Sequence, residues 1–367
     1  MSPDLPPAPP APWGAVVSVQ TDRFSDPLPL ADLLASRLSG LRARHQWSLA
    51  YARDEVRVSA WGPLGLPSWL WPQAQDTRWQ LSALARQSAT LVASRGAVAL
   101  TQDIAADGAP ARSYQADVSL RLRGYAGYGI DWAVQGASGW PGGQLRWQLG
   151  VQTLRLLRLM TRDITGQVRF DAATSSYTTR LESDQFNDRH HYLYQTEGDT
   201  QGWAWLAHWQ LQWQASPDWA WSVGVSDIGR LHWDRLAHEQ RTLDTDVTRT
   251  DSAGNVSYAP LLQGRDGQDR LTLMANATVV AGMSWQWQSG QHIELSARHL
   301  AGMQPWLPYS GVRVQGGDWQ WQLGWRWHER AAQVGLQHGP WQMHMAGDAL
   351  DSRARTRQFS LQWQQAW

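Results

Sequence analysis

Residues 318–329, DWQWQLGWRWHE, place large apolar side chains on every second position. Four tryptophans and one leucine share a parity: Trp319, Trp321, Leu323, Trp325 and Trp327. The opposite parity carries Asp, Gln, Arg and His side chains and one glycine. Because side chains on a β-strand alternate between two faces, this stretch predicts a strand with one indole-covered face and one polar face.

The same alternation recurs along the chain. It appears in residues 116–124, 144–152, 202–214, 270–288, 291–298 and 357–367. In residues 270–288, the apolar positions from Leu271 to Trp287 keep one parity throughout. Turn-forming residues separate these segments, and the main helix candidate is Pro29–Leu41. The chain is therefore expected to be all-β.

Two environments could receive a face rich in tryptophan. A soluble sandwich must interdigitate two facing sheets about 10 Å apart, and rows of indoles would over-fill that layer. Lipid has no fixed shape and favours tryptophan near the headgroups. The chain has 26 Trp and 4 Phe, and the charged side chains of these segments avoid the tryptophan parity, except for Arg357 at the start of its strand. This favours a transmembrane antiparallel up-and-down β-barrel.

The barrel interpretation assigns each parity to a surface. We expect a lipid-facing aromatic belt of Trp147, Trp203, Trp205, Trp209, Trp213, Trp285, Trp287, Trp319, Trp321, Trp325 and Trp327. We expect a lumen lined by Asp117, Arg121, Arg123, Arg146, Gln148, His208, Gln210, Glu294, Arg298, Arg326 and His328. These lumen residues could form a charged eyelet that selects solutes, or pair with one another and fill a closed barrel. Both alternatives stay open at this point.

Strand number and domain organisation follow from length. A spanning strand takes about 9–11 residues, and the alternating segments give about 12 to 16 strands; we expect 14. Residues 1–43 are predicted to hold a Pro-rich extension, a first strand and a helical segment that would plug the lumen. Residues 44–367 are predicted to form the barrel, with long external loops near 182–201 and 236–269.

The carboxy-terminal stretch resembles the terminal recognition strand of Gram-negative outer-membrane proteins. It ends on Trp367, with Phe359, Leu361 and Trp363 on the same parity. The resemblance implies that these residues are an assembly signal for the barrel assembly machinery. It also implies the bacterial outer membrane as the location, with its lipid and lipopolysaccharide as surroundings. We expect that an export leader has been removed from this sequence.

A second resemblance covers WAWSVGVSDIGRLHW, residues 219–233. It is similar to segments of the long-chain fatty-acid transporter superfamily, including its TraF-type relatives, with Asp227–Gly229 matching an Asp-x-Gly element. The resemblance implies a 14-stranded barrel with an N-terminal plug that moves hydrophobic compounds. The alternative interpretation is a β-bulge or kink at Asp227–Gly229, where glycine relieves strain.

Several classes of function are disfavoured. The chain has no cysteine and a formal charge of zero, which argues against thiol chemistry and against a nucleic-acid partner. His292, Glu294 and Ser296 share a strand face, but side chains two apart lie about 7 Å from each other, too far for a catalytic relay. We therefore predict no enzyme, no cofactor and no metal site.

The sequence predicts an outer-membrane channel or transporter for passive passage of small or hydrophobic molecules. The alternative is a closed barrel that serves as a structural subunit or anchor of a multi-protein envelope complex of the secretion, pilus or conjugation type. In that case other envelope proteins would be its partners.

Overall fold

A computed structural model describes residues 13–34, 41–42, 45–64, 74–105, 112–140, 142–188, 202–245, 248–250, 256–258, 261–303 and 305–367. The strands are β1 (Gly14–Ser25), β2 (Trp47–Pro63), β3 (Ala74–Ser94), β4 (Tyr114–Trp140), β5 (Gly143–Asp171), β6 (Ser176–Asn187), β7 (Gly202–Gln214), β8 (Trp219–Asp244), β9 (Thr248–Thr250), β10 (Val256–Tyr258), β11 (Leu262–Met274), β12 (Thr278–Gln288), β13 (Gln291–Leu300), β14 (Leu307–Gly316), β15 (Trp319–Arg326), β16 (Ala331–His338), β17 (Trp341–Gly347) and β18 (Thr356–Ala366). The helices are α1 (Leu30–Leu34) and α2 (Arg95–Ala105).

The sheet closes on itself. Every wall strand is antiparallel to its neighbours, and β1 pairs with both β2 and β18. β6 and β7 lie end to end along β5, and β11 and β12 lie end to end along β8. Each of these pairs fills one position in the wall, so the closed barrel has 14 strand positions. The predicted fold and strand number are confirmed.

The two ends of the barrel differ in their connections. One end carries the short connections 141–142, 215–218, 289–290, 317–318 and 339–340, and one connection of ten residues, 64–73. The first and last strands also meet there, where the Trp367 N–H donates to the Trp13 carbonyl oxygen at 3.1 Å. The other end carries the longer connections 26–46, 95–113, 245–261 and 348–355. Short turns at one end and long connections at the other are typical of outer-membrane barrels.

One side of the wall is much taller than the other. β4, β5 and β8 have 27, 29 and 26 residues, whereas about 9–11 suffice to cross a membrane. At about 3.3 Å per residue, these strands extend well past the membrane on the side of the long connections. Of the two predicted external loops, residues 182–187 lie in β6, and 236–244 and 262–269 lie in paired parts of β8 and β11. Residues 189–201 lie outside the described residues.

The helices lie at the end with the long connections. The predicted helix Pro29–Leu41 is observed as α1 for five residues, and residues 35–40 lie outside the described ranges. The structure does not show α1 as a plug. α2 was not predicted; its first turn is capped by Ser94, whose hydroxyl accepts from the Ala97 N–H at 3.2 Å. No helix in the described ranges is long and apolar enough to cross a membrane.

The alternating faces follow the predicted pattern. Of the predicted belt, all but Trp147 and Trp209 are exposed on the outer face. Trp209 is half-buried, and Trp147 is buried because its ring covers Gly136 on the neighbouring strand. Phe359, Leu361 and Trp363 also lie on the outer face, half-buried in β18, and Trp367 is exposed. Contact of these residues with lipid, and their role in assembly, remain predictions.

One stretch departs from its predicted parity. The sequence places Leu271, Leu273 and Trp285 on a single face. In the structure Leu271 and Leu273 pack inside the barrel, whereas Trp285 is exposed outside. The ladder is interrupted between β11 and β12, so the chain changes face there while its sequence parity continues.

Adjacent positions on β5 test the assignment of the two faces. Leu149 is 55% exposed on the outer face, and Gln148 faces inward and donates to Gln80 Oε1 at 3.4 Å. We expect Leu149→Arg to lower the free energy of unfolding in phospholipid vesicles by about 2–4 kcal/mol, because a cation then faces hydrocarbon. Denaturant titration would measure this change.

Gln148→Arg is the matched control at the same depth. We expect it to lower the free energy of unfolding by less than about 1 kcal/mol, because the lumen can hydrate a cation. Equal losses for Leu149→Arg and Gln148→Arg would contradict the assignment of the faces.

Candidate functional site: the barrel lumen

The predicted lumen residues lie on the inner face, but they do not form one site. Arg298 and Arg326 meet in a buried cluster, and His208 lies beside a second cluster. Glu294 pairs with Arg313 at 2.7 Å and accepts from Gln322. The remaining members lie apart from these groups: Asp117, Arg121, Arg123, Arg146, Gln148, Gln210 and His328.

The outlying members occupy both ends of the lumen. Arg123 pairs with Asp163 at 2.5 Å, and Arg121 lies 3.9 Å from the same carboxylate. Asp117 is exposed and accepts from Gln167 at 3.1 Å. These residues lie on the tall part of the wall, beyond the membrane. Arg146, Gln148 and Gln210 are half-buried towards the end with the short turns.

The first buried group, the Asp22 cluster, consists of Asp22, Tyr51, Arg298, Arg326 and Glu329. Arg298 Nη1 lies 2.5 Å from Asp22 Oδ2, and Arg326 Nη2 donates to the Tyr51 hydroxyl at 2.9 Å. Glu329 accepts from Arg326 Nη2 at 2.6 Å and from the Tyr51 hydroxyl. Two carboxylates thus balance two guanidinium groups. The cluster joins β1 and β2 to β13 and β15, which lie across the barrel.

The second buried group, the Glu55 cluster, consists of Arg53, Glu55, Arg57, Arg86 and Asp227. Glu55 accepts from Arg86 Nε at 2.8 Å and from Arg57 Nε at 2.9 Å. Asp227 pairs with Arg53 at 3.0 Å and with Arg86. The cluster joins β2 and β3 to β8, again across the lumen.

The edge of the Glu55 cluster brings in two further residues. Arg57 also pairs with Asp131 of β4, and His208 Nδ1 of β7 lies 3.7 Å from the other oxygen of that carboxylate. With Asp131 included, three arginines are balanced by three carboxylates. Ion pairs therefore cross the lumen in two places.

Asp227 owes its position to an irregularity in β8. Between the pairs Ala207–Ile228 and Trp209–Val225, β8 contains one more residue than β7. Asp227 has a φ of 61°, a left-handed conformation that Asp and Asn tolerate better than most residues. The predicted β-bulge at Asp227–Gly229 is thus observed. The bulge turns the Asp227 carboxylate into the lumen, towards Arg53 and Arg86.

A cavity of about 210 Å³ lies between the two clusters. Asp22 and Arg298 line one side, and Arg53 and Asp227 line the other. Asn276, in the interruption between β11 and β12, also lines it and donates to Thr90 Oγ1 at 2.8 Å. Charged and amide side chains therefore line the cavity together with apolar ones, and it lies beside the break in the wall.

The inner face also carries a cluster of buried apolar side chains that pack against one another, which we call the inner apolar patch. It consists of Leu84, Leu154, Leu156, Leu159, Ala204, Leu206, Leu231, Trp233, Leu236 and Ala275, with Tyr125, Phe186, Leu271 and Leu273 packed against it. Ser88 and Asn276 line both the cavity between the two clusters and a smaller pocket beside Tyr125, Leu159 and Leu231. The patch therefore adjoins the cavity.

His328 lies in the connection 327–330 at the end with the long connections. Its ring lies 5.6 Å from the Phe24 ring and 6.1 Å from the His45 ring. Burial lowers the pKa of His328 below its ordinary value. Its side chain lines a cavity of about 300 Å³ with Asp26 and Arg355, so it lies at the mouth of the barrel.

Sequence analysis missed most of the two clusters. Tyr51, Arg53, Glu55 and Arg57 lie on alternate positions of β2, and this charged face of period two is a signal that could have been found. Arg86 and Asp131 are isolated charged residues in their strands, Asp22 precedes Arg23 in β1, and Glu329 lies in the connection after β15. Nothing local in the sequence indicates that they meet across the barrel.

No family model and no curated protein matches the chain. Three matching solved structures are the TodX deltaS2S3 mutant monoaromatic hydrocarbon channel, the P. putida toluene transporter TodX and the Ralstonia pickettii toluene transporter TbuX. Their identities to this chain are 8%, 9% and 8%, with TM-scores of 0.43, 0.40 and 0.35. They cover 96%, 97% and 97% of this chain, and the matches span 89%, 88% and 89% of theirs. At these TM-scores the likeness supports no inference about function. The barrel fold is established by the strand pairing of the chain itself.

The buried ion pairs predict a specific loss of stability. Asp227→Asn keeps the left-handed backbone and removes one charge, which leaves the buried Arg86 short of a partner. We expect the free energy of unfolding to fall by about 3–5 kcal/mol. Denaturant titration of the folded barrel would measure it.

Asp163→Asn is the control, because Asp163 pairs with arginines at an exposed position. We expect a change of less than about 1 kcal/mol. If Asp227→Asn were as mild as Asp163→Asn, the Glu55 cluster would not be part of the barrel's stable core.

Proposed function

We propose that the chain is an outer-membrane barrel that lets small hydrophobic molecules pass across the membrane. The observation that carries this proposal is the inner apolar patch, which adjoins the cavity of about 210 Å³. A lumen that only needed to hold water would have no reason to place Leu206, Leu231 and Trp233 on its inner face, since porin-type interiors are polar.

The ion-pair clusters give the proposed passage its selectivity. Both clusters cross the lumen, so a hydrated ion would have to displace paired charges such as Arg298–Asp22 or Arg86–Glu55. Breaking such pairs without replacing them costs several kcal/mol. A small apolar molecule that enters between the buried side chains of the patch breaks no ion pair, and it gains about 25 cal/mol per Å² of its own apolar surface removed from water.

The location and partners belong to the same proposal. We place the barrel in the outer membrane, with the long connections outside and the short turns facing the periplasm. The barrel assembly machinery would recognise the face of β18 that bears Phe359, Leu361 and Trp363. No catalytic role is proposed for any residue of the lumen.

Passage can be tested with a hydrophobic fluorescent probe such as N-phenylnaphthylamine, which an intact outer membrane excludes. We expect Gram-negative cells that produce the barrel to take up the probe faster than cells that lack it. Leu206→Gln, in the inner apolar patch, should cut that gain at least about twofold because it places an amide among buried apolar side chains.

Leu211→Gln is the matched control on the same strand, because Leu211 faces outward. It should leave uptake unchanged, and heat-dependent gel mobility would show that every variant is folded. A folded wild-type barrel that does not accelerate uptake would contradict the proposed passage.

The second candidate function is a closed barrel that serves as a subunit or anchor of an envelope complex. The two ion-pair clusters across the lumen favour it, since they fill the barrel as a scaffold would. Planar-bilayer recordings and probe uptake separate the two candidates. The absence of channel currents and of faster probe uptake, together with envelope proteins that co-purify with the folded barrel, would support the scaffold.

A further inference from the structure

The outer face carries a second feature, at the upper edge of its apolar band. On β5, β7 and β8, outward side chains are mainly apolar from the short-turn end up to Thr153, Trp205 and Ile228. The next outward positions of β5 and β8 are Arg155 and Arg230, and both are exposed. Two cations therefore interrupt the apolar surface, and beyond Arg155 only Leu157 and Met160 of β5 are again exposed apolar side chains.

The strand register places these cations around two indoles. Arg155 lies opposite Trp203 across the β5–β7 ladder, and Arg230 lies opposite Trp205 across the β7–β8 ladder. Two strand spacings and a two-residue offset put the arginine Cα atoms about 12 Å apart. Trp203 and Trp205 are 46% and 56% exposed. We call these four residues the upper rim site.

The upper rim arginines differ from other outward or nearby arginines. Arg23 pairs with Asp54 at 2.7 Å, Arg158 with Asp188 at 3.2 Å and Arg270 with Asp234 at 3.3 Å. Within the described ranges, Arg155 and Arg230 have neither an ion pair nor a side-chain hydrogen bond. Two exposed guanidinium groups at the edge of an apolar band are therefore available to an external anion.

The cations are also distributed asymmetrically. Arg23 and Arg357 lie on the outer face of β1 and β18 at the same end as the upper rim site. In the part of the chain that the structure describes, no arginine has outward parity at the end with the short turns; Arg146 and Arg313 face inward there. The outward positive charge thus lies at the side that would face the external leaflet.

We propose that the upper rim site binds the phosphate groups of an anionic glycolipid of the outer leaflet, the class to which lipid A belongs. Arg155 and Arg230 each hold one phosphate, since guanidinium groups bind phosphate through charge-assisted hydrogen bonds. The Trp203 and Trp205 rings pack against the sugars and the first acyl carbons, where amphipathic rings are favoured. The spacing of the cations suits a headgroup with two phosphates better than one with a single phosphate. This proposal does not depend on what passes through the lumen.

Binding can be measured on the full chain folded in zwitterionic detergent, by native mass spectrometry with bisphosphoryl lipid A. We expect the double variant Arg155→Gln/Arg230→Gln to bind at least about tenfold more weakly than wild type. Each single variant should lose about threefold or more, which keeps the test informative if the double variant does not fold. Arg169→Gln is the control: Arg169 is exposed on the same strand, 14 residues further from the membrane, and its loss should change nothing.

Two further ligands identify the source of the anion. Monophosphoryl lipid A should bind more weakly than the bisphosphoryl form, and millimolar inorganic phosphate should not displace the lipid. Unchanged binding by the folded double variant, or by both single variants, would overturn the proposal. Displacement by inorganic phosphate alone would also overturn it, because the site would then take a free anion and not a lipid.

Discussion

The structure depends on one constraint, which is that no backbone polar group can be left unpaired in hydrocarbon. Each unsatisfied N–H or C=O group in a bilayer costs several kcal/mol, so an all-β chain crosses a membrane only as a closed ladder. β1 supplies that closure by pairing along its length with β2 on one side and β18 on the other. Once the wall is closed, the alternation of side chains decides the surroundings of each residue. One parity meets lipid, and the other is enclosed.

The side chains on the enclosed parity include many charged groups, and these charges have to be neutralised. A lumen bordered by strands has a limited volume, and charged side chains inside it must pair or stay hydrated. The Asp22 and Glu55 clusters pair theirs, with equal numbers of arginines and carboxylates when Asp131 is included. The bulge at Asp227 contributes by turning one carboxylate into the lumen at the level where β11 gives way to β12. The irregular backbone and the ionic core are therefore linked.

The fold could be predicted well from the sequence, because the alternation of apolar and polar residues along each strand is a local pattern. The strands around Trp319–Trp327 and Trp203–Trp213 could be assigned by parity alone. The count of such segments gave about 12 to 16 strands, a range that includes the 14 positions observed in the wall. The parity assigned Leu271 and Leu273 to the outer face, which is wrong. The ladder is interrupted between β11 and β12, and there the chain turns its other face outward while the sequence parity continues. Parity also missed α2, where Ser94 was the available signal.

The candidate site was predicted much less completely. Arg298 and Arg326 were recognised as lumen residues from their strands, but their shared partner Asp22 lies at a distant point of the sequence, and Glu329, three residues after Arg326, was not recognised as a partner. Pairing across a barrel depends on its circumference and stagger, which no single strand encodes. The inner apolar patch was missed for a related reason. Leu154, Leu206 and Leu231 face the lumen although leucine on a barrel strand ordinarily indicates the lipid face.

The central claim is that the indole-bearing parity contacts hydrocarbon while the charged parity encloses the lumen. Tryptophan fluorescence of the barrel in vesicles of brominated phospholipid tests it directly, because bromine atoms quench only indoles that touch the acyl chains. The account predicts strong quenching by the brominated lipid and weak quenching by aqueous acrylamide, since Trp205, Trp221 and Trp321 are exposed on the outer face. Weak quenching by the brominated lipid in a folded barrel would contradict it.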